Sequence, residues 1–198
     1  MLHNRTALRL TAIFTILELC LLIELIILGN SDFILQGMVV AIGWLVYTFM
    51  EFRHNLFLNN YVRLAVMLTL LSDSFLGNYL NGYVTSPFFD RIQHIFGTYS
   101  IALWAYTIVW QIAGARYSNR LSWILVFMIG IGLGGIYEII EFFEDSLLMP
   151  AILNQPSLLD TDLDLLSDAI GAFLAAVQVK YADFGLINKQ RDFYVKEK

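Results

Sequence analysis

The side chains that could do chemistry in this chain fall into three short patterns. In GIGLGGIYEIIEFFED, residues 130–145, Glu138, Glu141 and Asp145 stand at i, i+3 and i+7. On a helix they share one stripe. Asp90 and His94 are four apart, and Asp164 and Asp168 repeat that spacing, so each pair shares a helix face. Oxygen donors with one imidazole suit a divalent cation, and a spare carboxylate beside such an ion can activate water. Shared protons among the carboxylates are the other way to hold them together. No serine or cysteine has a histidine beside it, which points away from covalent hydrolysis, with Ser72 and Ser74 the nearest alternatives.

These groups sit in a chain that is 58% hydrophobic and 15% charged, with a mean hydropathy of +0.65. A soluble domain carries roughly a quarter charged residues. The expectation is an all-α, polytopic membrane protein of one domain. A net charge of −5 argues against a nucleic-acid partner. The single cysteine, Cys20, excludes an intramolecular disulfide and reads as a small buried hydrophobe. The first apolar run follows Arg5 and Arg9, but its end, LIILGNSD, lacks a small-x-small cleavage pattern, so it reads as a membrane helix.

Six apolar segments position the polar groups: Leu8 to Leu28, Phe33 to Met50, Val62 to Leu80, Ile92 to Ile112, Leu121 to Phe143 and Asp164 to Val179. Most are near the ~20 residues that span a ~30 Å hydrocarbon layer. The third, with Ser72, Asp73, Ser74 and Asn78, and the sixth, with Asp164 and Asp168, are the most polar. Basic residues support the count of six. Arg5, Arg9, Arg53, Arg63, Arg116, Arg120, Lys180, Lys189, Arg191, Lys196 and Lys198 fall on the side of the termini and only Arg91 opposite, accounting for all 12 Lys and Arg. That asymmetry puts both termini in the cytoplasm. A six-helix bundle over residues 1–180 and a basic cytoplasmic tail over 181–198 follow, with one long outer loop from Glu144 to Leu163.

Depth then follows from helical rise. Glu138 lies 17 residues above Leu121, roughly 25 Å into a ~30 Å layer and near its outer edge. Asp73 falls just past the middle, with Asn78 and Ser74 on the same helix. Asp90, His94, Asp164 and Asp168 start their helices in that outer layer. Seven carboxylates, at 73, 90, 138, 141, 145, 164 and 168, thus meet only His94 and Arg91 as basic groups. Each charge at mid-membrane costs about 2.5–3.5 kcal/mol on the lenient insertion scale. A divalent cation is one remedy, with Asp90, His94, Glu138, Glu141, Asp164 and Asp168 as ligands, Asp73 and Asn78 as additional polar groups, and Glu138 or Glu141 free to act on water.

Structural roles compete for some of these positions. Glu144, Asp145, Asp160 and Asp162 can reach outer water, Asp160 or Asp162 can cap the sixth helix, and Asp90 can cap the fourth. Glu24 could join the outer layer, while Glu18, near mid-depth, is expected to hydrogen-bond a neighbouring helix. GIGLGG follows no strand, so a phosphate loop is not expected, and Gly130 with Gly134 forms the GxxxG of close helix packing. The D-x-D-x-D at 160–164 lacks the glycine and terminal glutamate of a calcium loop.

FDRIQHIFG at 89–97, GIYEIIEFFED at 135–145 and DTDLDLLSDAIGA at 160–172 together resemble the YjdF family of small bacterial inner-membrane proteins, and more distantly the VanZ-like family. The shared pattern is D-x3-H, E-x2-E and D-x3-D ahead of Gly171-Ala172, over the last three helices. The resemblance implies Asp90, His94, Glu138, Glu141, Asp164 and Asp168 as characteristic polar residues, and a cell-envelope setting.

Three functions fit these patterns. The first is a metal-dependent membrane hydrolase or transferase acting at the headgroup layer on a lipid-linked or envelope substrate. The second is a cation or proton transporter, which requires the polar path to continue inward from Asp73. The cytoplasmic halves offer few buried ionisable groups to the sequence reading, which favours the first over the second. The third is a non-catalytic membrane scaffold.

Overall fold

The computed structural model describes residues 2–29, 31–114, 117–150 and 152–181. Arg116 and the expected tail over 181–198, with four of the counted basic residues, lie outside the described residues but for residue 181 itself. Among those described there is no strand. The helices are α1 (Leu2–Leu28), α2 (Ser31–Arg53), α3 (Asn60–Leu71), a π-helical segment (Ser72–Tyr79) continuing α3, α4 (Gly82–Thr85), α5 (Phe89–Ala113), α6 (Asn119–Leu148) and α7 (Leu158–Tyr181). Four of them, α1, α2, α5 and α6, are long and apolar enough to cross a membrane.

Burial shows what solvent these helices were built for. Along α1 the buried residues are Ala7, Thr11, Phe14, Glu18, Leu22 and Leu25, at three- and four-residue spacings that mark one face. The opposite face is just as apolar, with Ile13, Ile16, Ile23 and Ile27 all exposed. Meanwhile Glu18, Arg63, Asp73, His94, Glu138, Asp164 and Asp168 are buried. Apolar outside with charge inside is the pattern of a lipid-facing bundle.

Two groups of helices make the molecule. The hairpin of α1 and α2 packs on α3 and the π segment, and α5, α6 and α7 pack on one another, with α3 joining the groups through α5. An aromatic chain ties α1, α2 and α5 together: Phe14 to Trp44 at 5.7 Å, Trp44 to Tyr47 at 5.3 Å and Tyr47 to Trp104 at 5.2 Å between centroids. Close approach of α6 to α7 depends on small residues. A Cβ on Gly130 would lie 2.5 Å from that of Ala172, so this half of the GxxxG packs helices as expected. On the far face of α7, Gly171 lies against the Ile95 carbonyl of α5.

The helix ends correct several expectations. The loop expected from Glu144 to Leu163 is shorter, because Glu144 to Leu148 complete the last turns of α6 and Leu158 opens α7. Ser157 caps α7 by accepting from the Asp160 amide at 3.2 Å, which leaves Asp160 and Asp162 inside the helix. Phe88 occupies the N-cap of α5 without a side-chain bond, so Asp90 does not cap it. Asp145 does not simply reach for water: it accepts the backbone amides of Asn154 and Gln155 at 2.9 and 2.8 Å and folds the loop back over α6. Cys20 is exposed on the apolar outer face rather than buried.

A candidate metal centre between the last three helices

Asp90, His94 and Thr98 are spaced by four on α5, so this helix turns one stripe toward α6 and α7. His94 is the hub. Its Nδ1 lies 3.2 Å from Asp168 Oδ1 of α7 and 3.7 Å from Glu138 Oε1 of α6, and its Nε2 lies 3.6 Å from Asp90 Oδ1. Three helices thus bring one imidazole and three carboxylates together. The ring is held edge-on to Tyr137 at 5.7 Å.

Gly134 makes room for the carboxylate of Asp168. A Cβ at position 134 would come within 2.6 Å of Asp168 Cγ, so only glycine leaves that carboxylate where it stands. The two glycines of GxxxG therefore divide the work: Gly130 admits a helix and Gly134 a side chain. Thr98 donates a short hydrogen bond to Asp168 Oδ1, and Gln155 from the outer loop donates to both the backbone carbonyl and Oε2 of Glu138 at 2.8 Å.

Three carboxylate oxygens remain without a hydrogen-bond donor inside the cluster: Glu138 Oε1, Asp168 Oδ2 and Asp164 Oδ1. All three residues are at least nine-tenths buried. Buried anionic oxygens without partners are costly. Two sets of donor atoms lie within 4.8 Å of one another, His94 with Glu138 and Asp168, and His94 with Asp90 and Asp164. The first set joins an imidazole to two carboxylates that each carry one unpartnered oxygen, so its composition fits a divalent cation. Nε2 of the ring then faces Asp90, the arrangement in which a carboxylate orients a ligand histidine.

Arg91 closes the cluster at the N-terminal ends of α5 and α7. It pairs with Asp160 through a short contact and lies 3.7 Å from Asp164 Oδ1 and 3.9 Å from Asp90 Oδ2. Asp164 thereby belongs as much to Arg91 as to His94. Glu141 stands apart from both donor sets. It lines an adjoining pocket of about 120 Å³ with Asp90, Arg91, Tyr137, Asn78 and Gln36.

Asp73 is also off the centre, held by the Tyr83 hydroxyl and by Gln36 Nε2 at 3.0 Å. Asn78 donates to Gln36 Oε1 at 3.3 Å and so supports Asp73 indirectly. Glu24 is exposed and takes no part. Glu18 is buried and faces Ser74 of the neighbouring π segment, with no close hydrogen bond to its carboxylate.

The sequence reading missed Thr98, Gln155, Gln36 and Tyr83, and took Gly134 for helix packing alone. Thr98 had a signal, since it extends the 90–94 stripe by one turn. The others come from a loop, a helix and a turn whose approach no spacing reveals. Beside Arg53 and His54, where few buried ionisable groups are expected, Arg63 and Glu51 form one buried pair at 2.5 Å.

Comparison with known proteins agrees with this architecture at the level of the membrane. An uncharacterised protein of Thermotoga maritima is 30% identical over 116 residues, which cover 58% of this chain and 59% of that protein. The match therefore spans somewhat over half the length of the relative. No solved structure matches the chain. A family model matches residues 9–182, nearly the whole helical region, and the chain belongs to that family of predicted membrane proteins, DUF2238.

Proposed function

We propose that this chain is a six-span protein of the bacterial cytoplasmic membrane, with cytoplasmic termini and an outward site that holds a divalent cation through His94 Nδ1, Glu138 and Asp168. The α3–π rod and α7 supply the two spans beyond the four most apolar ones. The eleven basic residues on one side support this orientation. Kinship to the YjdF family is part of the same reading. The observation that carries the metal assignment is the pair of buried, unpartnered oxygens, Glu138 Oε1 and Asp168 Oδ2, beside one imidazole.

The reaction class we favour is hydrolysis or group transfer on a lipid-linked or envelope substrate. A divalent cation at such a site supplies Lewis acidity and a more acidic bound water. The residues do the remainder. Asp90 fixes the His94 ring, Thr98 and Gln155 orient the two carboxylates, and Glu141 in the neighbouring pocket is placed to take a proton from a nucleophile. Gln36, Asn78, Asn81 and Asn154 line that pocket with neutral hydrogen-bonding groups. A polar headgroup entering from the bilayer surface fits such a lining.

The test is elemental analysis of the purified protein beside His94→Ala and Asp168→Asn. About one tightly held divalent ion in the wild type, lost from both variants, is the expected result. A metal-free wild type with unaltered variants overturns the assignment. A second reading, cation transport, gains from one specific observation: a further buried carboxylate, Glu18, lies within electrostatic reach of Asp73 near the middle of the layer.

A further inference from the structure

Glu18 on α1 is completely buried, and neither carboxylate oxygen has a hydrogen-bond partner. It faces Ser74 and lies within electrostatic reach of Asp73, both in the π segment. Ser74 is buried, and its Oγ also lacks a partner. Thr15, one turn before Glu18 on the same helix, adds a further buried hydroxyl oxygen without one. Four oxygens on two helices are thus withdrawn from lipid and left without donors.

Neighbouring groups do not relieve this. Asp73 is engaged by Tyr83 and Gln36 and brings charge of the same sign. The other buried acid of the inner half, Glu51, belongs to Arg63. A lone carboxylate in a membrane interior is expensive and marks a functional position. Hard oxygen donors from a carboxylate and hydroxyls are cation chemistry. π-helical turns recur at functional sites, and irregular membrane helices hold ions in transporters. Both Asp73 oxygens are occupied by Tyr83 and Gln36, so the donor set holds a single carboxylate with two neutral hydroxyls, and one ligating negative charge matches a monovalent ion.

We propose that Glu18, Ser74 and Thr15 form a binding site for a monovalent alkali cation of the sodium class between α1 and the π segment, separate from the His94 centre. The outer pocket reaches Gln36 and Asn78, the side chains around Asp73, and Asp73 adjoins Ser74 in the chain.

Thermal unfolding of the detergent-purified protein, followed by tryptophan fluorescence with chelator present, tests this. Sodium, lithium, potassium and choline chlorides are compared at matched ionic strength for the wild type, Glu18→Gln, Ser74→Ala and His94→Ala. The wild-type midpoint should rise saturably with sodium relative to choline. Glu18→Gln should abolish the rise, Ser74→Ala should raise the half-saturating concentration by about tenfold, and His94→Ala should keep the response. A wild type indifferent to the four salts, as a merely protonated Glu18 would make it, overturns the site. So does a response that survives Glu18→Gln. Should Glu18→Gln fail to fold, an unaltered Ser74→Ala response overturns it equally.

Discussion

At the scale of single residues, the centre depends on a side chain that is absent. Gly134 leaves the space Asp168 occupies, while Gly135, its neighbour, has nothing within 4 Å of where a Cβ would be. Gly134→Ala should therefore displace Asp168 and weaken divalent-cation binding by about 10–100-fold, the usual cost of disturbing a ligand's support. Gly135→Ala should leave binding unchanged, and titration calorimetry with manganese distinguishes the two. Equal affinities would remove Asp168 from the ligand set. The inner pair makes a contrasting case. Arg63 is wholly buried, bonds Glu51 at 2.5 Å and leaves Nε and Nη1 without partners. Arg63→Met strands Glu51 and should destabilise by about 3–5 kcal/mol, whereas Arg63→Met with Glu51→Leu should recover most of that loss. Denaturation of both variants checks it, and equal losses would mean that the charge of Glu51 is not the cause. Spacing alone made the D-x3-H and D-x3-D pairs legible, because residues four apart share a helix face whatever packs against it, whereas E-x2-E is divided between the centre, which takes Glu138, and the adjoining pocket, which takes Glu141. The pairing of Arg63 with Glu51 was not legible, since it depends on how the connection between α2 and α3 turns.

At the scale of elements, the π segment decides where Asp73 and Ser74 point. Its winding leaves no mark in hydropathy, since a switch from i+4 to i+5 hydrogen bonds changes register and not composition. The sequence could therefore locate the third apolar run, at Val62 to Leu80 against an observed Asn60–Tyr79, without revealing its winding. The short α4 was invisible for a related reason, as four residues carry no period. The turn after the π segment is tightly packed: a Cβ on Gly77 would lie 3.1 Å from the Phe89 ring and closer still to that of Tyr83, the residue that bonds Asp73. Gly77→Ala should force Tyr83 aside at a cost of about 1–3 kcal/mol, typical of overpacking. The expected signature is a lower unfolding midpoint that is not lowered further when Tyr83→Ala is added, because the small residue vacates the contested space. An additive loss would show that Gly77 does not act through Tyr83. The outer loop was overestimated because acidic residues read as solvent-exposed, yet Glu144 and Asp145 stay helical while bonding Asn154 and the amide of Gln155.

At the scale of the molecule, the number of crossings is the quantity on which every placement of the site depends. Four helices satisfy length and apolarity outright, while the rod of α3 with the π segment and α7 carry three of the buried acids, Asp73, Asp164 and Asp168. Those acids lower mean hydropathy without facing lipid, because Asp73, Asp164 and Asp168 are buried against neighbouring helices. A window average counts such a residue as though it met the bilayer, so the most functional spans score worst. Six crossings place His54 and Asn119 on one side and Asn81 and Leu153 on the other. Four crossings would separate His54 from Asn119, because the chain would return along α3 without traversing the layer. Replacing Cys20 by serine and adding one cysteine at a time at these four exposed positions turns the difference into a labelling pattern. In intact cells an impermeant maleimide should modify the cysteines at 81 and 153, and those at 54 and 119 only after permeabilisation. Labelling at 119 but not at 54 before permeabilisation would establish four crossings. Residues 90, 94 and 138 would then no longer share one outer layer with Asp168 through a transmembrane α7, and an outward-facing site would have to be abandoned even if its metal were real.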